Sequence, residues 1–267
     1  MKLSEEMKNK TLLSFELFPP KTEKGLQNLP GTIDHLMKYN PSYISCTYGA
    51  GGGNVGANRE VCQMIKNAGT TPVTHFTVIK NTKEGIKEQL DQYLADGVDH
   101  MLALRGDIPL GETTTCGDFD YATDLVKFVR DTYGDKFEIA VAGSPEGHIS
   151  CRSLESDIAV LKQKQDNGAD YIMTQLCWDM EQFKYWLDAI RKAGITMPVD
   201  VGVMPILDQA ATINMALSRN GCVMDRELSQ NDLQTLAVPE PICSKRCRGQ
   251  TRSTYSTTRK LQSSKKR

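Results

Sequence analysis

The sequence predicts an α/β chain of the (β/α)8 TIM-barrel type, and three features carry that prediction. Seven apolar runs recur about every thirty residues, helical patterns separate them, and a polar residue stands at or just past the end of most runs. Barrels of this type build their active sites at the carboxyl ends of their strands. The chain is therefore expected to be an enzyme whose site lies at that end.

The seven runs are apolar on both faces, as in residues 139–142, which is typical of strands buried on both sides of a parallel sheet. A doubly wound sheet has the same order of elements, but its ligands gather at one switch point. Here strand after strand ends in a polar side chain, which favours the barrel. The predicted strands are residues 12–18, 43–48, 72–78, 100–104, 137–142, 171–176 and 199–204.

Helical periodicity fills the intervals between the strands. In residues 82–95, the apolar residues Ile86, Leu90, Tyr93 and Leu94 fall at i, i+4, i+7 and i+8, on one face of a helix. Several helical stretches end at a glycine, which tolerates the left-handed conformation of a C-cap. The predicted helices are residues 31–38, 58–68, 82–95, 121–132, 154–167, 180–193, 209–219 and 222–230.

The alternating pattern stops after the seventh strand. We predict a barrel catalytic domain over residues 1–237 and a basic, low-complexity, disordered tail over residues 238–267. Residues 231–267 hold 9 of the 32 Lys and Arg but only 2 of the 33 Asp and Glu, so the tail differs in charge from the rest. With the eighth strand missing, the barrel is expected to be incomplete, with two unpaired edges.

Composition indicates a cytoplasmic protein without a membrane segment. No apolar run approaches the roughly 20 residues of a membrane span, and the polar N-terminus does not resemble a secretory signal. The eight cysteines lack paired spacing, which is typical of reduced thiols. The basic tail has a lone aromatic residue, Tyr255, and no folded platform, so no nucleic-acid partner is expected. No metal is expected either, because no second Cys or His pair follows Cys243 and Cys247.

A carboxylate stands on the first strand in the segment SFELFPP, residues 14–20, between aromatic neighbours. Loss of solvation there would raise the pKa of Glu16 and let it act as a general acid near neutral pH. Spacing alone leaves a second interpretation open, in which Glu16 points outward and pairs with a lysine.

The fourth strand ends in ALRGDIP, residues 103–109. Gly106 would let the backbone approach a ligand, and Asp107 would project from the rim of the barrel. In isolation, the same segment also fits an ordinary β-turn with a solvated Asp107.

Six motifs in order and at barrel spacing resemble the methylenetetrahydrofolate reductase family over about residues 11–230. They are SFELFPP, TYGAGG at residues 47–52, His75, ALRGDIP, PEGH at residues 145–148, and TQ at residues 174–175. The resemblance implies a flavoprotein with FAD in a barrel. A reduced nicotinamide reduces the flavin, and 5,10-methylenetetrahydrofolate then receives a hydride to give 5-methyltetrahydrofolate, which feeds one-carbon metabolism and methionine synthesis.

The resemblance also implies roles for residues at matching positions. Glu16 matches the general acid that helps open the five-membered ring of the folate. Asp107 matches the residue that meets the pterin and tunes the flavin, and Gln175 matches a substrate contact. The positions that match cofactor contacts are Thr47, His75, Arg105, Gly106, Asp107, Tyr121, Ala142, Asp157 and Lys164.

The chain departs from the family pattern at three positions and in its tail. Ser144 stands where an aromatic residue is common, and Val160 and Gln163 replace polar cofactor contacts, which would weaken the grip on FAD. Two alternatives therefore stay open: a truncated or non-catalytic barrel with impaired FAD binding, and a barrel enzyme with another substrate. The pattern leaves open NADH or NADPH, and a homo-oligomer or an electron-delivering partner subunit.

Overall fold

The computed structural model describes residues 2–20, 22–48, 55–108, 111–148, 151–177 and 179–204. Within these ranges seven strands form one parallel sheet in chain order, as the sequence predicts. The strands are β1 Ser14–Leu17, β2 Tyr43–Cys46, β3 Thr71–Thr77, β4 His100–Leu104, β5 Glu138–Gly143, β6 Tyr171–Thr174 and β7 Val199–Asp200. Strand order and alternation with helices identify an incomplete (β/α)8 barrel.

Seven α-helices are described in the same ranges. They are α1 Leu3–Asn9, α2 Glu23–Met37, α3 Val55–Asn67, α4 Lys83–Ala95, α5 Ala122–Tyr133, α6 Leu154–Asp166 and α7 Met180–Lys192. None of the helices in the described part of the chain is long and apolar enough to cross a membrane. The predicted helices at residues 209–219 and 222–230 and the predicted tail lie outside the described residues.

Two helices differ from the prediction. Helix α2 begins at Glu23 rather than at residue 31, with the Thr22 side chain accepting from the Gly25 N–H and Pro30 inside the helix. Pro30 removes one backbone hydrogen bond, but Leu29 and Ile33 beside it are buried, so packing holds the helix through the proline. Helix α1 was not predicted at all.

The chain forms two compact units. The first comprises Met1–Ala142, Val160–Met173 and Thr196–Asp200, and the second comprises Gly143–Ala159, Thr174–Ile195 and the described residues from Val201 onward. In the first unit, side chains from the amino-terminal halves of the strands form a core with the start of α1. Its buried members are Leu3, Tyr43, Val73, Leu102, Ala140 and Tyr171.

A buried acid joins α1 to this core. The two carboxylate oxygens of Glu138, at the start of β5, accept 2.7 Å hydrogen bonds from the backbone N–H groups of Leu3 and Ser4. His100, at the start of β4, places its Nε2 2.9 Å from Glu138 Oε2 and its Nδ1 2.6 Å from Asp99 Oδ1. The contact with Glu138 lies off the hydrogen-bond direction of the ring nitrogen, so charge attraction holds it. We call Glu138, His100 and Asp99 the basal cluster.

A half-buried carboxylate, that of Asp200, links the seventh strand to the first two. Asp200 Oδ2 accepts a 3.1 Å hydrogen bond from the Ser14 hydroxyl and another from the Tyr43 hydroxyl. Burial is the main reason that the pKa of Tyr43 is raised, so its phenol keeps the proton that it donates. Ser14 and Asp200 are 186 residues apart in sequence, and their contact ties β7 to β1 inside the first unit.

Candidate active site

The core identifies which strand residues point inward. Successive side chains of a strand alternate between faces, and Tyr43 and Val73 belong to the interior core. Residues two positions further along each strand share that face, which places Ser45 and His75 inside. The next pair in the same series is Thr47, just past β2, and Thr77, at the end of β3. Two predicted cofactor residues, Thr47 and His75, therefore lie on the inner face.

Strand register places Glu16 and His75 in one layer. Glu16 pairs with Ser45, and Ser45 pairs with Val73. Because barrel strands slant, side chains from alternate strands meet about two residues further along. The layer partner of Glu16 is thus His75, and the structure confirms this with 3.6 Å between Glu16 Oε2 and His75 Nε2. The Glu16 carboxyl therefore lies on the inner face of the sheet and does not point outward.

The two side chains of this pair have opposite environments. The Glu16 side chain is 46% exposed at the strand end, yet the protein atoms around it desolvate the carboxyl enough to raise its pKa. His75 is buried, and the loss of solvation lowers its pKa to about 4. Both shifts favour the uncharged form. At neutral pH His75 is therefore a neutral imidazole, and Glu16 holds its proton more tightly than an ordinary carboxyl.

Three buried polar atoms on this face have no hydrogen-bond partner among the described residues. They are Ser45 Oγ, His75 Nε2 and Thr77 Oγ1. Buried polar groups are nearly always satisfied in folded proteins, and leaving one unsatisfied costs about 1–3 kcal/mol. Their grouping on one face of β2 and β3 is the arrangement expected beside a polar ligand. Ser45 and Thr77 were missed in the sequence, although their two-residue spacing from the predicted positions was a usable signal.

Asn58, on α3, holds the end of β2 from outside. Its amide donates 3.0 Å and 3.1 Å hydrogen bonds to the carbonyls of Cys46 and Thr47, and its oxygen accepts from the hydroxyls of Thr74 and Tyr93. All four bonds are made by a residue with no exposed surface. Asn58 therefore fixes the backbone that carries Thr47. Sequence reasoning missed it because its partners lie on other elements.

The ALRGDIP segment begins at the end of β4. Gly106 has φ +84°, and a Cβ on it would stand 2.7 Å from Ile79 Cγ1 and 3.1 Å from Thr77 Cβ. Glycine is thus required here by backbone conformation and by packing on β3. Arg105 Nε donates to the Gly106 carbonyl over 3.3 Å, and Asp107 is exposed.

Three further residues that the sequence predicts to contact the cofactor lie in the first unit: Tyr121, Ala142 and Lys164. Tyr121 is the N-cap of α5, is 61% exposed, and donates its backbone N–H to Asp124 over 3.0 Å. Lys164, on α6, donates from Nζ to the Ala142 carbonyl over 2.9 Å. Lys164 and Ala142 therefore meet at the carboxyl end of β5, whereas Tyr121 stands in solvent at a helix start.

The second unit carries Asp157 and Gln175. Asp157 Oδ2 accepts from the His148 N–H over 3.0 Å, and its Oδ1 accepts from the Cys151 thiol over 3.6 Å, so the carboxylate organises the loop before α6. The Gln175 N–H donates to the Gly143 carbonyl over 2.8 Å, which extends the β6 ladder.

The PEGH segment is anchored within the second unit. Gln182, on α7, donates from Nε2 to the Pro145 carbonyl over 2.9 Å, and the Cys177 thiol donates to Glu146 Oε1 over 3.6 Å. Burial is the main reason that the pKa of Cys177 is raised to about 12, so this thiol is not a nucleophile at neutral pH. Among the three departures from the family pattern, Val160 is exposed on α6.

Comparison with known proteins gives consistent matches. The family model described as methylenetetrahydrofolate reductase matches residues 2–230. Methylenetetrahydrofolate reductase (NADH) 1 of Arabidopsis thaliana is 38% identical over 219 residues, which are 77% of this chain and 37% of the relative. Methylenetetrahydrofolate reductase 2 of Saccharomyces cerevisiae is 35% identical over 81% of this chain and 38% of the relative. 5,10-Methylenetetrahydrofolate reductase of Escherichia coli is 34% identical over 75% of this chain and 67% of the relative.

Solved structures support the fold. An uncharacterised protein from Clostridium thermocellum that binds 5-methyl-5,6,7,8-tetrahydrofolic acid aligns with TM-score 0.61 and 13% identity, over 99% of this chain and 89% of that chain. 2,3-Dimethylmalate lyase aligns with TM-score 0.53 and 12% identity, over 99% and 94%. At such identities the likeness bears on fold alone.

The chain spans little more than a third of the plant and yeast relatives and about two thirds of the bacterial one. Because the family model covers most of its residues and the E. coli relative is matched over two thirds of its own length, this chain belongs to the methylenetetrahydrofolate reductase family.

Proposed function

We propose that the protein reduces 5,10-methylenetetrahydrofolate to 5-methyltetrahydrofolate with electrons from NAD(P)H carried by FAD. The observation that carries this proposal is the Glu16 carboxyl, which lies on the inner face of the sheet with a raised pKa beside the neutral His75. Opening of the folate ring needs a proton donor near neutral pH, and a desolvated carboxylic acid is suited to that task.

The residues of this chain fit a flavin. A flavin ring is flat and carries hydrogen-bonding atoms on its edge, and the buried hydroxyls of Ser45 and Thr77, which have no hydrogen-bond partner among the described residues, are polar groups of the matching kind. FAD would supply the hydride carrier, because hydride transfer itself needs no protein base. The residues proposed to hold it are Thr47, His75, Arg105, Gly106, Asp107, Tyr121, Ala142, Asp157 and Lys164.

Three side chains are proposed to act on the folate. Glu16 would give its proton to a nitrogen of the five-membered ring, which opens to an iminium that accepts hydride. Asp107, exposed at the end of β4, would bind the pterin. Gln175, after β6, would bind the substrate through its side-chain amide.

The setting of the reaction is also a proposal. The names of the plant relatives include NADH, so NADH is the first donor to test. We propose a cytoplasmic protein with small-molecule substrates, with no nucleic-acid or membrane partner, either as a homo-oligomer or with an electron-delivering subunit. The catalytic domain would be residues 1–237, and residues 238–267 a separate basic tail.

The first prediction separates the two half-reactions by replacing the acid. Glu16→Gln should leave reduction of bound flavin by NADH in place, but lower the rate of flavin reoxidation by methylenetetrahydrofolate about 10²–10⁴-fold, the usual contribution of a general acid. Stopped-flow absorbance of the flavin band measures both rates.

The matched control is Glu181→Gln, an exposed carboxylate at the start of α7 that pairs with Lys184. It should match the wild type in both rates. Equal folate rates in Glu16→Gln and the wild type would remove Glu16 from its role. A purified protein that lacks flavin and does not take it up would instead favour a barrel with impaired FAD binding, as the departures at Ser144, Val160 and Gln163 suggest.

A further inference from the structure

We propose that His75 is the positioning partner of Glu16: its unprotonated Nε2 accepts a hydrogen bond from the Glu16 carboxylic acid and holds the acidic proton on the inner face of the sheet. The consequence for catalysis rests on the proposed function. The pairing itself does not, since it concerns two side chains of this chain alone.

Geometry brings the two groups together from different strands. Glu16 and His75 occupy the same interior layer, and Glu16 Oε2 lies 3.6 Å from His75 Nε2. That gap is longer than a hydrogen bond, so the pairing requires one of the two side chains to move. Glu16 is 46% exposed, whereas His75 is packed, so Glu16 is the side chain that would rotate to close the contact.

The ring nitrogen needs such a partner. His75 Nε2 is buried and has no hydrogen bond within the described residues. Among the described residues, Glu16 supplies the carboxyl group that lies within 4 Å of His75 Nε2. A carboxylic acid is a strong donor and a neutral imidazole nitrogen is an acceptor, so their bond satisfies a group that otherwise remains unsatisfied.

An ion pair is the alternative arrangement, and the surroundings of His75 disfavour it. An imidazolium has two N–H donors and needs an acceptor for each. His100 shows what this requires, because it is flanked by the carboxylates of Asp99 and Glu138. His75 faces one carboxylate at a longer distance and lies in a desolvated position.

Within the part of the chain that the structure describes, Cys46 on β2 also interacts electrostatically with Glu16. Its pKa is raised, chiefly by the hydrogen bond with Cys62 and by burial, so the thiol is uncharged. No charge among these neighbours forces Glu16 to ionise. A neutral His75 therefore lets Glu16 keep its proton, whereas a charged His75 would drive Glu16 to the carboxylate, which cannot act as an acid.

Nitrogen-15 NMR of the purified full chain, labelled at histidine, tests the pairing without relying on flavin or activity. The chain has four histidines, and a His75→Asn variant assigns the signal. We expect His75 at pH 7 to be neutral with its proton on Nδ1 and with Nε2 at the shift of a hydrogen-bonded acceptor. His100 in the same spectrum should be an imidazolium and serves as the internal reference.

Two variants of Glu16 sharpen the result. Glu16→Leu removes the donor, and the Nε2 signal should move downfield to the position of a free acceptor. Glu16→Gln retains an N–H donor and should keep the signal near its wild-type position. An imidazolium in the wild type that becomes neutral in Glu16→Leu would establish an ion pair and overturn the proposal, as would a proton on Nε2. An Nε2 shift that is identical in wild type and Glu16→Leu would overturn it as well.

Discussion

Two Glu–His pairs lie inside the first unit, and their pKa values are shifted in opposite directions. In the basal cluster, burial opposes the charges of Glu138 and His100, but their contacts prevail. The pKa of Glu138 is lowered to about 2 and that of His100 is raised to about 9. In the upper pair, the pKa of Glu16 is raised and that of His75 is lowered to about 4. The same two residue types therefore have charged forms that are stabilised at one end of the strands and uncharged forms that are favoured at the other.

The difference comes from the hydrogen-bond donors and acceptors around each pair. Glu138 receives two backbone N–H groups from the start of α1, and His100 has a second carboxylate in Asp99. These contacts stabilise charge and offset the cost of burial. Glu16 and His75 have no such support among the described residues, so desolvation decides their state. Burial alone therefore does not predict the direction of the pKa shift, because hydrogen-bonding and charged partners can reverse it.

The largest expected effect on stability comes from removing the negative charge of Glu138 in the basal cluster. Glu138→Gln leaves His100 without its buried counter-charge and weakens the attachment of α1, since a carboxylate acceptor becomes a neutral amide. Loss of one partner of a buried pair should reduce the free energy of unfolding by about 3 kcal/mol. Urea denaturation at pH 6 measures this. A loss smaller than about 0.5 kcal/mol would show that the basal cluster does not stabilise the fold.

The pH dependence of that stability loss is the next effect. The pKa of His100 in the folded protein, about 9, is above its ordinary 6.5, so its stabilisation is complete below pH 6.5 and is lost as the pH rises through 9. The pKa of Glu138, about 2, is below its ordinary 4.5, so its stabilisation is complete above pH 4.5 and is lost toward pH 2. The difference between wild type and Glu138→Gln should be greatest at pH 4.5–6.5.

The difference in the free energy of unfolding between the wild type and Glu138→Gln should decrease steadily from pH 6.5 to pH 9, because the wild type loses the charge on His100. Denaturation series at pH 6 and pH 9.5 compare the two states. A stability difference that stays constant between them would show that His100 does not lose its charge in this pH range.

The smallest expected effect is on the upper pair and has the opposite sign. Because the folded state disfavours the Glu16 carboxylate, Glu16→Gln should not destabilise the protein at pH 8 and should raise the free energy of unfolding by about 0.5 kcal/mol or less, since the side chain is partly exposed. The same substitution at Glu138 is its matched comparison. A loss at Glu16 as large as that at Glu138 would show that the upper pair is also charged.

Several elements could be predicted from the sequence because their signals are local. The seven strands were located by runs of apolar residues, and the helix at residues 83–95 by its i, i+4, i+7 spacing. Helix α1 was missed because five of its seven residues are polar and its apolar residues are a single pair, Leu3 and Met7, at i, i+4. Pro30 was a misleading start signal because burial of its neighbours keeps α2 intact across it.

The barrel class, the family and the strand that carries the acid could be predicted from the sequence, because apolar periodicity and motif order are properties of neighbouring residues. The folded arrangement was needed to show that Glu16 faces inward next to His75, that Asn58 holds the end of β2, and that the pKa of Glu138 is lowered whereas that of Glu16 is raised. Protonation depends on partners that are distant in sequence, such as Leu3 and Glu138 at a separation of 135 residues, and folding alone brings them within hydrogen-bond distance.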